Sequence, residues 1–197
     1  MENTNKLQFV GTVATTPDYS HSVKELEFYS FVLSMKRISN VSDNIVVIIK
    51  KEMAQTIKAG DRLSICGELR SHNNKSEIGN RLIIACFAHT VEDAENLSDE
   101  NLIELSGVIC KEPTYRLTPV GREICDLILA VNRKHKKTDY LPCIAWGKNA
   151  RLLRDVEIGA GIAIEGRVQS REYKKVIDEV ESYKTAYEIS VSKFYFS

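Results

Sequence analysis

Two aromatic residues in the second half of the sequence have the spacing and surroundings of a stacking surface. Tyr140 and Trp146 lie in an alternating run from Asp139 to Trp146, in which Leu141, Cys143 and Ala145 occupy the opposite phase. Side chains of a strand alternate between its two faces, so the two rings, with Pro142 and Ile144, are predicted to point away from the core. Large aromatics on a solvent-facing strand indicate a binding surface.

A third ring and many cations accompany this strand. Tyr173 stands in the basic stretch 171–175, and a second basic loop covers 133–137. Flat rings beside mobile cations suit a single strand of nucleic acid, because bases of any sequence stack on the rings while the cations follow the phosphates. We therefore predict stacking by Trp146, Tyr140 and Tyr173. The predicted phosphate contacts are Arg116, Arg133, Lys134, Lys136, Lys137, Lys148, Arg171, Lys174 and Lys175.

Each of these residues also has a purely structural interpretation. A lone tryptophan is often a partly buried core residue, and Tyr173 could cap a hairpin. A Lys/Arg loop taken by itself is more often a solvated turn than a binding patch. The position of the basic loop beside the aromatics favours the binding interpretation.

The sequence offers little for catalysis. It contains no Gly-rich phosphate loop, no paired Cys or His spacing for zinc and no nucleophile motif. We therefore predict no catalytic residue, no metal site and no cofactor. The run 178–181 is interpreted as a solvated acidic loop.

The strands that position these residues belong to an internal sequence repeat. A shift of 96 residues matches Gly11 with Gly107 and Arg37 with Arg133, and it continues without a gap to Ala54 and Ala150. After a three-residue insertion in the second copy, the match resumes at the paired residues Gly60–Gly159, Ile65–Ile164, Gly67–Gly166 and Ser71–Ser170. Such an internal repeat predicts two similar domains.

Each copy follows the order strand, strand, strand, short helix, strand, strand. This is the order of an OB-type β-barrel, although a two-sheet sandwich would also use short alternating strands. Gly107 and Gly166 interrupt strands, as expected where a small barrel bends tightly. We predict an all-β chain with short helices and two tandem five-stranded OB-fold barrels. Its predicted parts are a degenerate OB domain at 1–91, an acidic linker at 92–101 and a second OB domain at 102–197.

Bulk composition agrees with a small soluble protein. The net charge is zero, but residues 1–100 carry 11 Lys/Arg against 14 Asp/Glu, whereas residues 101–197 carry 16 against 13. The basic excess thus lies in the half that holds the aromatics. No run of 18 apolar residues or signal-peptide start occurs, and the five cysteines are odd in number and widely spaced. These features predict a cytoplasmic protein with reduced thiols.

The second copy resembles the bacterial single-stranded DNA-binding protein (SSB) family. The resemblance rests on Ser106–Val108 with Pro113, on Leu129–Arg133, on Asp139–Ala150 and on Gly161–Tyr173. It implies that Tyr140, Trp146 and Tyr173 stack on DNA bases, and that hairpins at 133–137 and 171–186 embrace the strand. It also implies a homodimer that presents four OB domains. We predict a cytoplasmic protein that is either associated with the bacterial nucleoid or encoded by a phage.

The first copy departs from the family at its stacking positions. Asn44, Lys50 and Asn74 stand where the second copy has Tyr140, Trp146 and Tyr173. Only weak contacts are therefore predicted in this copy, through Arg37, Lys50 and Lys51. Family members also commonly end in an acidic tail with a Pro-Phe tip that recruits replication and repair proteins. This sequence ends at Ser197 directly after the last predicted strand, so we expect a different mode of recruitment or a specialised role.

Three hypotheses of function remain at this point. The first is sequence-tolerant binding of single-stranded DNA in replication, recombination or repair. The second is an adaptor of replication restart or phage replication whose barrels mainly bind proteins. The third is binding of single-stranded RNA, because a stacking surface does not by itself distinguish the 2′-hydroxyl.

Overall fold

The structure is a computed structural model that describes residues 4–74, 82–133, 137–177 and 180–196, with backbone alone for 172–184. The chain forms two compact units. The first unit contains Lys6–Arg70 and Ile84–Leu102. The second contains Ile103–Ser197 together with Met1–Asn5 and Ser71–Ile83. Residues 71–83 thus belong to the second unit, although the repeat places them in the first copy.

The first unit is a barrel closed by its first strand. The strands follow the order β2-β3-β4-β6-β5-β1, and β1 pairs again with β3 at Thr12 and Ser34. One short helix, α1, joins β4 to β5. The element bounds are β1 Asn5–Val13, β2 Asp18–Val23, β3 Leu26–Lys36, β4 Ser42–Lys50, α1 Lys51–Ala54, β5 Arg62–Asn73 and β6 Leu82–Asp93.

The second unit repeats this plan. Its strands follow the order β7-β11-β12-β10-β9-β8, and β7 closes on β9 through the pair Val108–Ala130. The bounds are β7 Glu100–Ile109, β8 Thr114–Leu117, β9 Glu123–Asn132, β10 Thr138–Trp146, α2 Lys148–Leu153, β11 Gly161–Ile177 and β12 Val180–Phe196. Each unit therefore has the predicted OB-barrel order, with a short helix after its third long strand.

Two short strands escaped the sequence analysis. β2 and β8 each pair along one side only, with β3 and β9 respectively. All six residues of β2 are exposed, so this strand lacks the alternation of apolar and polar residues that reveals a half-buried strand. Within the described residues, each barrel consequently has six strands where five were predicted.

The barrel cores come from the alternating strands. In the first unit Phe31, Leu33 and Met35 of β3 point inward and are buried. In the second unit the predicted inward set of β9, namely Cys125, Leu127, Leu129 and Val131, is fully buried. Burying such side chains removes apolar surface from water and provides the main driving force for folding.

Glycine is required where strands cross at closure of the second barrel. A Cβ atom on Gly107 would lie 2.3 Å from the Ala130 carbonyl oxygen, and one on Gly166 would lie 2.4 Å from that of Ser190. Neither separation is possible for a real side chain. A register shift between Glu165 and Gly166 marks the bulge that bends β11.

The acidic segment between the copies is partly strand. β6 continues to Asp93 and β7 begins at Glu100. In the turn between them the Ala94 amide donates to the Arg62 carbonyl, and the Arg62 guanidinium pairs with Asp99 at 2.6 Å. This turn is therefore anchored to the first unit. Within the described part of the chain no helix is long and apolar enough to cross a membrane.

Candidate nucleic-acid interface

The outer face of β10 carries both aromatics predicted there. Tyr140 is 52% exposed and Trp146 is 36% exposed, with the half-buried Pro142 between them. Ile144, which was also expected to face outward and be exposed, is buried. It lies between Asp126 of β9 and Ser190 of β12, and cross-strand neighbours on the same face limit its contact with solvent.

Trp146 stands at the last position of β10, where the backbone is firmly held. It lies opposite Ile124 of β9, and Ile124 in turn lies opposite Arg116 of β8. The next residue, Gly147, has φ +52 and donates its amide to the Glu123 carbonyl at 3.0 Å. A positive φ suits glycine, and it lets the chain turn directly from the strand into α2. The indole is therefore presented from a rigid strand end.

An open pocket lies beside the indole. It has a volume of about 560 Å³ and is lined by Leu117, Gly121, Arg122, Glu123, Trp146 and Gly147. Its outer wall is the turn of the β8–β9 hairpin, where the Thr118 amide donates to the Arg122 carbonyl at 2.8 Å. A pocket with one aromatic wall and a nearby guanidinium can hold a base and its phosphate. Leu117 and Arg122 were not predicted from the sequence, because the short strand β8 carries no clear apolar pattern.

Tyr140 is held by a buried polar network. Its amide donates to Ser71 Oγ at 2.8 Å, and the Ser71 amide donates to Asp139 Oδ1 at 2.5 Å. The Asp139 carboxylate is fully buried and forms an ion pair with the Arg133 guanidinium, whose Nη2 donates to Oδ1 at 2.8 Å. A buried carboxylate needs such donors to offset its lost hydration. The network therefore fixes the backbone beneath the Tyr140 ring.

Two arginines that were predicted to contact phosphates, Arg133 and Arg37, are instead paired with buried aspartates. The Arg133 side chain is only 20% exposed and is engaged by Asp139. Its counterpart in the first unit, Arg37, is 19% exposed and forms an ion pair with the fully buried Asp43. Hydrogen bonding to this carboxylate raises the pKa of Arg37. Both arginines hold the base of a hairpin, which leaves them less available to a phosphate than predicted.

The other predicted cations of the second unit differ in exposure and in how much of them the structure describes. Lys137, Lys148 and Arg171 are exposed, and Arg116 is exposed but paired with Asp126 at 2.8 Å. Lys134 and Lys136 lie outside the described residues. Tyr173, Lys174 and Lys175 lie on the paired arm of β11 and β12, where Tyr173 is opposite Lys184, but their side chains are outside the described part.

The predicted weak contacts of the first unit also differ in availability. Lys50 is exposed at the end of β4. Lys51 pairs with Glu27 at 2.5 Å, and this hydrogen bond raises the pKa of the lysine. Lys50 is thus the freer of the two cations for an external phosphate.

Acidic residues also lie on the outer face of the second unit, which sequence reasoning missed. Glu188 of β12 is half-buried and accepts a hydrogen bond from Gln169 at 3.3 Å. Burial raises the pKa of Glu188, nearby Asp126 raises it further, and Arg171 and Arg116 lower it. These four charged groups therefore share one electrostatic environment. Glu188 directly precedes the apolar Ile189 in a strand. This alternation was the sequence feature that could have placed Glu188 on the outer face.

Among the described residues, no group of three or more His, Cys, Asp or Glu side chains is placed to hold a metal ion. Two of the five cysteines, Cys66 and Cys110, are exposed. Cys86, Cys125 and Cys143 are buried. Burial raises the pKa of all three thiols, that of Cys125 to about 11. A thiol with a raised pKa is protonated and inert at neutral pH.

The fold and this face define a class of protein. Both units are OB barrels, and the second presents two exposed rings on β10 together with the exposed cations Lys137, Lys148 and Arg171 outside that strand, the combination found in barrels that bind single strands. Residues 100–197 match the model of the single-strand binding protein family. The second copy, about half of the chain, belongs to that family.

Individual relatives agree with this assignment. The chain is 33% identical over 81 residues to single-stranded DNA-binding protein 3 of Listeria innocua, covering 38% of this chain and 51% of that relative. It is 30% identical over 81 residues to single-stranded DNA-binding protein A of Bacillus subtilis, covering 38% and 47%. The matches thus span about half the length of the curated relatives.

The solved structure of the wild-type single-stranded DNA binding protein from Thermus aquaticus has the same fold. Its TM-score is 0.80 at 18% identity, and the match covers 100% of this chain and 94% of that chain. A single chain of that protein therefore matches both units described above. The likeness confirms the duplicated OB fold.

Proposed function

We propose that this protein binds single-stranded DNA with little sequence preference, in replication, recombination or repair, and that it has no catalytic role. The observation that carries the proposal is the pair of exposed rings, Tyr140 and Trp146, on one strand of a barrel from the single-strand binding protein family. Bases stack on Trp146 and Tyr140, and Tyr173 adds a third ring. Lys137, Lys148 and Arg171 contact phosphates, with Lys134, Lys136, Lys174 and Lys175 along the same strand.

The assembly proposed for the chain is a homodimer. Two OB barrels per chain give four per dimer, the number that the family resemblance implies around one DNA strand. We place the protein in the cytoplasm, at the bacterial nucleoid or in a phage-infected cell. Light scattering should give twice the chain mass of 22.3 kDa; a single chain mass at micromolar concentration would contradict the dimer.

Competition between strands tests the function directly. A labelled dT oligomer bound to the full chain is challenged with unlabelled single-stranded DNA, RNA and duplex DNA of equal length. The proposal expects displacement by single-stranded DNA at the lowest concentration, since duplex bases are not free to stack. Displacement first by RNA would favour the RNA hypothesis. No binding of any strand at low salt, with co-purification of a helicase or primase, would favour the adaptor hypothesis.

A further inference from the structure

The first unit carries its own row of stacked rings, at positions different from those of the second unit. The His21 and Phe28 rings stack with centroids 5.0 Å apart and planes at 16°. Phe28 lies 5.7 Å from Phe87, and Phe87 lies 6.1 Å from His89. We call these four residues the ring row.

The ring row lies on the outer face of the first barrel. Phe28 of β3 is opposite both His21 of β2 and Lys50 of β4, and Phe87 of β6 is opposite Ile48 of β4. This strand face is out of phase with the buried Phe31 and Leu33. The surface therefore corresponds to the face of the second barrel that holds Trp146.

The ring row is specific to the first unit. The shift of 96 residues places Leu117 and Ile124 of the second unit where His21 and Phe28 stand. In the first unit Phe87 lies opposite Ile48 of β4. At the equivalent position of the second unit, Ser190 lies opposite Ile144 of β10. Lys50 stands at the position of Trp146. The first barrel thus lacks the second barrel's stacking residues but has rings of its own on the same face.

The ring row is accompanied by cations, and its accessibility differs from ring to ring: Phe28 is buried, Phe87 is half-buried, and the two histidines are exposed. Arg70 Cζ lies 3.3 Å from the centre of the Phe87 ring, with its side chain 32% exposed. A guanidinium stacked on an aromatic ring presents a flat, charged surface on which a base can stack. His21 and His89 are exposed, and Lys50 is an exposed cation beside Phe28. Glu68 pairs with Arg70 at 2.7 Å and lies 3.9 Å from His89 Nε2, so an acidic group is also present on this face.

From this geometry we propose that the ring row is a second binding surface for single-stranded DNA, in which bases stack on His21, His89 and the Arg70–Phe87 pair while Lys50 contacts a phosphate. The inference rests on the proposed function and extends it to the first unit. One chain would then bind DNA through both barrels, with different residues in each.

The test removes rings from the first unit of a chain whose second unit is already weakened. In a Tyr140→Ala/Trp146→Ala chain, binding of a labelled dT oligomer is measured at pH 8 and low salt, with and without His21→Ala/His89→Ala. Residual binding should weaken at least about fivefold, the lower end of what stacking one base contributes. The control is Tyr19→Ala, an exposed ring on the same strand that contacts Tyr29 on the other face; it should leave the residual binding unchanged.

A second readout does not depend on a variant folding normally. In full-length protein with labelled histidine side chains, the ring signals of His21 and His89 should shift when the dT oligomer is added. Unshifted signals, or ring-loss variants that bind like the Tyr19→Ala control, would overturn the second surface. So would a Tyr140→Ala/Trp146→Ala chain without residual binding. If the unaltered chain binds no single strand at all, the proposed function fails as well, which separates the two failures.

Discussion

At the residue scale, replacement of Trp146 tests the stacking mechanism most directly. The indole lies at a rigid strand end beside an open pocket. Replacing Trp146 by Ala should weaken binding of a dT oligomer by roughly 1–3 kcal/mol, because one stacking surface is lost. Trp146→Phe keeps a ring and should recover most of the affinity. Equal affinities for all three proteins in equilibrium titrations would assign the indole a structural role alone.

Glu188 makes a pH-dependent prediction on the same face. Burial raises the pKa of Glu188, because it disfavours the charged carboxylate in the folded state. The stability that this neutral carboxyl group contributes is therefore lost as the pH rises through the raised pKa. The negative charge also repels phosphates. Binding should therefore strengthen as pH falls through the raised pKa. Glu188→Gln should bind more tightly at pH 7 and vary less with pH; an unchanged pH profile would argue against a place for Glu188 beside the DNA.

At the element scale, the Arg133–Asp139 network is predicted to be structural. Asp139 is fully buried, and its removal leaves Arg133 and the Ser71 amide without their acceptor. Asp139→Ala should therefore destabilise the fold by about 3–5 kcal/mol in urea unfolding. The matched control is Asp155→Ala, which breaks an exposed pair with Arg154 and should leave the free energy of unfolding nearly unchanged. Similar losses for both variants would contradict the structural role.

The elements also show why the fold was easier to predict than the site. Long strands such as β9 and β10 alternate over most of their length, and the second copy shows the same pattern as the first, so the barrels could be inferred from sequence. β2 and the pocket wall at Leu117 could not, because an exposed strand paired on one side carries no apolar pattern. Likewise Arg133 looked like a free cation in its loop. Its partner Asp139 is visible only once the two ends of the hairpin are brought together.

The ring row illustrates the same limit. A comparison of equivalent positions found Lys50 in place of Trp146 and predicted weak contacts for the first copy. Phe87 and Arg70 come from β6 and β5, and their contact depends on strand pairing that periodicity does not specify. Internal repeats predict a shared core, but each copy can place its functional side chains on different strands of that core.

At the scale of the whole molecule, a chain of zero net charge is expected to bind a polyanion through local charge. Sixteen Lys/Arg lie within residues 101–197, and several of them are exposed near the aromatic face. Binding should weaken with salt, with a log–log slope of about −0.7 for each phosphate neutralised on a single strand. Titrations at several salt concentrations measure this slope. A flat response would contradict the phosphate contacts while leaving stacking intact.

Trp146 also offers the most direct test of the central claim, because it is the only tryptophan of the chain. Its fluorescence can be followed while oligo-dT of increasing length is added to the unaltered protein. We expect strong quenching that saturates at a defined oligomer length, because the indole stacks on a base. Binding without quenching would remove Trp146 from the interface, and no binding at low salt would contradict the proposed function.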